Sequence, residues 1–360
     1  MGFFLGLRLR LLPGIVRVDS PRLMADLEEK LVAAFARAES PARRHVSTGS
    51  PLAADALAVL RQTPADGTGL ALLGEECREA ARSLLGLAGY LVVQYRPDGA
   101  PAYSAISAQI SQNFTTAVWR AVLQLSAYLS ETNGLTLTFR RTGTEPAAFA
   151  DSSALNGGEG HSWGGYCILR PGAEQAGGHR SVGSGATHYR CISPKQLADS
   201  SGGNELIMAT LALKDLVAER IAMAELGRLP DGPHDLHLDA QVVPDGVAMD
   251  RVSRESRYLA TKLAMLRQAV VDGVIRLVKV ATKFNPADIF TKALVGGALR
   301  VCRALVLGHD VDGGAMVAAL IADDGPMAWG ERLKAKRTAA RRAAAQRRAA
   351  ETAAAPEQSK

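Results

Sequence analysis

Asp151, Glu205, Asp239 and Asp288 each stand where a strand is predicted to end or a helix to begin, positions at which separate elements bring side chains together. The clearest local case is Asn285-Pro286-Ala287-Asp288-Ile289-Phe290-Thr291-Lys292. Asn285 is a good N-cap and Pro286 a natural first helical residue, so Asp288 is predicted in the first turn of a helix, where the dipole favours an ionised carboxylate. Hard oxygen ligands of this kind bind magnesium or manganese, and two such ions about 4 Å apart activate water and stabilise the leaving oxygen in phosphodiester hydrolysis. A quartet of acids is easily found among 36 acidic residues, so spacing alone leaves open a metal centre and a set of unrelated charges.

The elements that must position these acids can be read from periodicity. Phe3 to Leu11, a turn at Pro13-Gly14, and Ile15 to Asp19 read as a β-hairpin, followed by a helix over Pro21 to Arg37. Residues 38–74 are rich in Pro, Ser, Gly and Ala and read as a loop, with one short helix around Ala53 to Arg61. A long helix is predicted from Glu75 to Gln94, ended by Pro97, then a second to about Gln112. A third is capped by Thr115, with Val118, Val122, Leu125 and Leu129 on one face, and closes at Asn133-Gly134. Leu135 to Arg141 alternates as a strand, Ala147 to Ser152 and Trp163 to Leu169 read as two more, and the three form an antiparallel meander, with a glycine-rich turn at Gly157, Gly158 and Gly160. A helix over Asn204 to Leu226, a strand over Leu236 to Gln241, a helix bearing Leu259, Leu263, Leu266 and Val270, and a strand over Val274 to Val280 complete a mixed α/β sheet flanked by helices.

Composition limits the setting. The 360 residues, 47% hydrophobic, suffice for a sizeable core and two or three domains. No apolar run approaches the roughly 20 residues of a membrane span, and Arg8 and Arg10 interrupt the apolar N-terminus, which reads as a strand and not as a signal peptide. Cys77, Cys167, Cys191 and Cys302 lack paired spacing, which argues against a disulfide framework or structural zinc and for a reducing, intracellular compartment, cytoplasmic or nuclear. The net charge of +6 lies in residues 331–360, which hold nine Lys or Arg against three Glu. This Ala/Arg-rich stretch reads as a basic helix, either a solvated extension or a nucleic-acid contact arm.

Several motifs then point one way. Ala150-Asp151-Ser152-Ser153 followed by Gly164-Gly165-Tyr166, Ser200-Ser201-Gly202-Gly203-Asn204-Glu205-Leu206, Asp239-Ala240-Gln241, Ser256-Arg257-Tyr258-Leu259 through Leu266-Arg267, Asp272-Gly273-Val274 and Ala287 to Lys292 occur in the order found in the RNase H domain of copia-type long-terminal-repeat retrotransposon Pol polyproteins, which this chain resembles. Upstream, Phe4-Leu5-Gly6 and His45 to Pro51 resemble the end of the reverse transcriptase palm and its thumb. Arg82 to Gly86, Arg96-Pro97-Asp98 and Trp119-Arg120-Ala121 through Tyr128-Leu129 resemble the connecting region.

The resemblance implies an RNase H-like α/β fold preceded by a mainly helical thumb and connection. The implied boundaries are 1–74 for palm end and thumb, 75–134 for the connection, 135–298 for the RNase H-like domain, 299–330 for an extension and 331–360 for the tail. It implies cleavage of the RNA strand of an RNA:DNA hybrid with two Mg²⁺ (or Mn²⁺) ions. Asp151 and Asp239 would be central ligands, Glu205 would hold one ion and help orient the 2′-hydroxyl, and Asp288 would complete the other ion's shell. The polymerase's paired-aspartate strand would precede Met1, so no polymerase site is expected here, and a polymerase segment is a candidate partner in trans. Val278 to Ala287 holds no histidine of the kind that assists product release in some RNases H, and Lys279 or Lys283 is left to supply charge.

Three positions depart from the pattern: Gly203 replaces a glutamate, Ala240 an asparagine and Ser153 an acid. None is among the four acids, and Ala240 is expected to slow turnover by removing a supporting amide. A catalytically degenerate, nucleic-acid-binding transposon remnant is the competing reading, and a scaffold recruiting partners through its tail is a third. His234 and His237 lack further ligands and read as surface residues, and the Gly157 to Gly165 stretch reads as a hairpin turn, not a phosphate loop. Trp119, Trp163 and Tyr166 read as core. Arg251, Arg254, Arg257, Lys262 and Arg267 face either the hybrid backbone or solvent.

Overall fold

The computed structural model describes residues 2–37, 49–52, 60, 74–111, 114–153, 163–173, 182–192, 201–228, 231–240, 242–248 and 259–309. The tail 331–360, the loop 53–59, the Gly157 to Gly160 turn and Arg251, Arg254 and Arg257 lie outside these. The chain divides into Met1–Asp310 and Val311–Lys360, and the description below concerns the first unit. No helix among the described residues is long and apolar enough to cross a membrane.

Three short strands open the chain: β1 (Gly2–Phe4), β2 (Leu7–Leu12) and β3 (Ile15–Asp19). Gly6 and Gly14, both at positive φ, make the two turns between them. The long helices α1 (Pro21–Arg37), α2 (Glu75–Gln94) and α4 (Thr116–Glu131), with the shorter α3 (Ala100–Gln109), pack on one another. Thr115 caps α4 as its sequence predicts, its hydroxyl accepting from the Val118 amide at 3.4 Å.

β4 (Leu137–Arg140) departs from expectation. It pairs antiparallel with β3, placing Leu137 opposite Val18 and Phe139 opposite Val16, and so completes the N-terminal sheet instead of opening the second one. Leu137 and Phe139 share their apolar face with Val16 and Val18. Gly143, at positive φ, then turns the chain away before the next strand.

The second sheet has the order β7-β6-β5-β8-β9. β5 (Ala147–Ser153), β6 (Trp163–Arg170) and β7 (Ser184–Ile192) form an antiparallel meander, and β8 (His234–Leu238) and β9 (Ile275–Lys279) continue it parallel to β5. This is the RNase H-like mixed sheet. The alternation of side chains splits its core in two. Ala148, Ala150, Tyr166, Ile168 and Leu236 face α5 (Ser201–Glu225), α6 (Val242–Ala248) and α7 (Ala260–Val271). Ala147, Phe149, Trp163, Cys167 and Leu169 join the core of the N-terminal helices, together with α8 (Gly296–Leu307) and the buried Ala287, Ile289 and Phe290. The helical region, α8 and the segment around Phe290 therefore cover the β5 to β7 part of the face that carries Asp151.

Candidate metal centre

The RNase H-like sheet brings three of the four acids together. One carboxylate oxygen each from Asp151, Asp239 and Asp288 lie within 4.8 Å of one another. Asp151 lies on β5 opposite Gly165 of β6, on the face toward the helical region. His237 on β8 stacks on Phe149 of β5, ring centroids 4.4 Å apart, so Asp239, two residues further, emerges on that same side. His234, read from sequence as a surface residue, is buried.

Asp288 sits in a single 3₁₀ turn, Pro286–Phe290, and not in the predicted α-helix. The cap prediction holds: the Asn285 side-chain oxygen accepts from the Ala287 amide at 3.1 Å. Its other end does more than cap, because Asn285 Nδ2 donates to the Ala150 carbonyl at 3.1 Å, pinning the turn to β5 beside Asp151. Five residues carry little helix dipole, so this tether, more than the dipole, holds the carboxylate in place. The Thr291 hydroxyl donates to Asp151 Oδ2, and Ser153 donates to the Thr291 carbonyl at 2.8 Å. Thr282 donates to Asp239 Oδ2 at 3.1 Å.

Glu205 stands at the edge of the trio. Its Oε1 accepts from the Ala240 amide at 3.0 Å, which ties the start of α5 to the residue after Asp239. The contact uses Ala240's backbone, so the missing asparagine side chain does not break it. α5 packs closely on the sheet at Gly164, where a Cβ would meet the Met208 side chain.

The electrostatics are those of crowded negative charge. Burial pushes the Glu205 carboxyl up to about 8, with Asp239 and Asp151 adding to the rise. Burial and then the Asp151 charge push Asp288 up to about 7, while Lys292 opposes. Asp239 is also raised, first by burial and then by Asp151. Lys292 Nζ lies 2.8 Å from Asp288 Oδ1 and 3.7 Å from Asp151 Oδ2. Burial works against its charge, but the three aspartates outweigh that and raise its pKa. The sequence points to Lys279 or Lys283 as the nearby cation; the cation at the centre is Lys292, four residues from Asp288. Thr282 and Thr291 were missed as supports because a threonine's partner is not legible from its neighbours.

An all-oxygen donor set, buried at Asp151, partly exposed at Asp239, mutually repelling and already drawing in an ammonium group, suits a hard divalent cation. The geometry thus defines an RNase H-like domain with a carboxylate centre. Part of the chain is similar to the retrovirus-related Pol polyprotein of transposon TNT 1-94 from Nicotiana tabacum, 25% identical over 227 residues, which are 63% of this chain and 16% of that polyprotein. It carries a segment related to retrotransposon Pol, as its motifs implied. No protein-family model matches it. Among solved structures, it is similar to LC11-RNase H1, a compost metagenome protein crystallised with an RNA/DNA hybrid, at 16% identity and a TM-score of 0.28 over 41% of this chain and 94% of that one. RNase H1 of Halobacterium salinarum gives 16% and 0.27, over 41% and 93%. The protease-reverse transcriptase of prototype foamy virus gives 10% and 0.26, over 46% and 20%.

Proposed function

We propose that the chain hydrolyses the RNA strand of RNA:DNA hybrids at this centre, using two Mg²⁺ or Mn²⁺ ions. The observation that carries the reading is the convergence of Asp151, Asp239 and Asp288 at one end of an RNase H-like sheet, with Glu205 beside them. Asp151 and Asp239 would serve both ions, Glu205 one and Asp288 the other. Bound there, the ions supply a water nucleophile at neutral pH and stabilise charge on the leaving oxygen.

The chain's own residues prepare that site. Thr291 holds Asp151, Thr282 holds Asp239 and Asn285 fixes the turn bearing Asp288, which keeps the carboxylates facing one another against their repulsion. Lys292 offsets part of that repulsion when no cation is bound. Selection of RNA would come from the 2′-hydroxyl, near Glu205.

A substrate panel with Mg²⁺ tests the reading: 5′-labelled RNA in a hybrid, the same RNA alone, and the DNA strand of the hybrid. Cleavage confined to the RNA of the hybrid is expected. No cleavage, with hybrid binding retained, would leave the degenerate remnant as the better account.

A further inference from the structure

We infer that Tyr189, with Gly165, is a positioning residue for the carboxylate centre, registering the Asp288 turn from the helical region packed on the same face of the sheet. This rests on the proposed function for its metal, and on the following contacts for its geometry. Tyr189, on β7, stacks nearly parallel on Phe290, two residues from Asp288, with ring centroids 6.2 Å apart and planes at 6°. Its hydroxyl lies 2.7 Å from the Val92 carbonyl and 2.8 Å from that of Val93. These belong to the last turn of α2, where helix carbonyls lack intrahelical donors, and the single hydroxyl proton is shared between them. A helix end is thereby linked through one aromatic ring to the turn that carries a metal ligand.

The sheet beneath is cut to receive that turn. Asp151, Gly165 and Cys191 form one row across β5, β6 and β7. A Cβ on Gly165 would clash with Phe290 Cβ and come within 3.0 Å of the Arg190 carbonyl, so Phe290 rests directly over the row that holds Asp151. The Cys191 thiol donates to the Phe290 carbonyl at 3.0 Å, and Ser104 of α3 donates to the Cys191 carbonyl at 3.0 Å. Phe290 is thus held by its ring and by its backbone, in both cases through β7 residues tied to helices of the N-terminal region. The centre's geometry is set partly outside the sheet that supplies its ligands.

The experiment is Mn²⁺ binding by calorimetry on the full chain, comparing wild type with Tyr189→Phe, which keeps the stacked ring and removes only the hydroxyl. Supporting contacts around metal ligands typically influence affinity by about 10- to 100-fold, and for this more distant tether we expect about tenfold weaker Mn²⁺ binding. Hybrid cleavage should fall in the same proportion at low Mn²⁺ and recover at saturating Mn²⁺. A merely structural role would lower the unfolding midpoint and leave the affinity of the folded protein unchanged, which would overturn the inference. Gly165→Ala should weaken binding further; because it risks misfolding, Phe290→Leu, which loses the stack but keeps the apolar contact, serves as the second variant and should also bind Mn²⁺ more weakly. If wild type binds Mn²⁺ and cleaves hybrid while both Tyr189→Phe and Phe290→Leu match it, the inference fails and the proposed function stands. If wild type binds no Mn²⁺, both fail.

Discussion

Glu205→Gln tests the cost of burying a carboxylate beside others at this centre. Glu205 is 2% exposed, and burial raises its carboxyl from 4.5 to about 8, with Asp239 and Asp151 adding to the rise and the Ala240 amide opposing it. Because the folded-state value lies above the unfolded one, the folded protein keeps a proton that the unfolded chain gives up between about pH 5 and pH 8. Stability from this group is therefore full at low pH and is lost as pH rises through that window. At about 1.4 kcal/mol per pH unit the loss approaches about 5 kcal/mol, and relaxation around the charge brings the expected value to about 2–3 kcal/mol. Gln keeps an oxygen to accept from the Ala240 amide and carries no titrating proton. In urea unfolding with EDTA, the variant should match wild type at pH 5 and exceed it by about 2–3 kcal/mol at pH 8.5. Mn²⁺ added at pH 8.5 should raise wild type more than the variant, since a bound cation removes the same repulsion. A difference that does not change with pH, or a wild type that gains on the variant as pH rises, would refute the reasoning.

The remaining predictions concern the parts that hold the centre. Lys292→Met removes the ammonium that competes for Asp288 and Asp151; because that side chain is 37% exposed, the metal-free loss should be held to about 1 kcal/mol, while thermal stabilisation by Mn²⁺ grows. Asp98→Asn breaks a fully buried pair with Arg96, at 2.8 and 2.9 Å, that also takes the Tyr128 hydroxyl at 2.6 Å; urea unfolding should show a loss of about 3–5 kcal/mol. Gly308→Ala places a side chain at φ 67°, against the Thr138 carbonyl and the Gly185 amide, and should cost about 2–4 kcal/mol in the same assay.

How much was legible follows from which interactions are local. The strand over Trp163 to Leu169, the helix over Glu75–Gln94 and the Thr115 and Asn285 caps are written in neighbouring residues, and the structure keeps them. Ser184–Ile192 carries little strand signal of its own, since its Ala, Tyr, Cys and Ile are mixed with Ser, Gly, Thr, His and Arg, and the place of β7 comes from pairing with β6. β4 looked like part of the following meander because a strand's partner is not encoded in its own alternation; only the shared face with Val16 and Val18 assigns it to the first sheet. Asp288 was found through its cap, yet the second bond of Asn285, to Ala150, spans 135 residues and could not be read. The role of Lys292 arises in the same way, from Asp151 brought beside it by the sheet.

Cleavage of a labelled RNA:DNA hybrid by wild type and by Asp239→Asn, at saturating Mg²⁺ and with equal folded protein, tests the central claim most directly. The substitution leaves an oxygen that can still accept from Thr282 and removes one negative charge from the three-aspartate centre. The account predicts cutting of the RNA strand by wild type and a loss of at least about 100-fold in the variant. Equal cleavage by the two would contradict it.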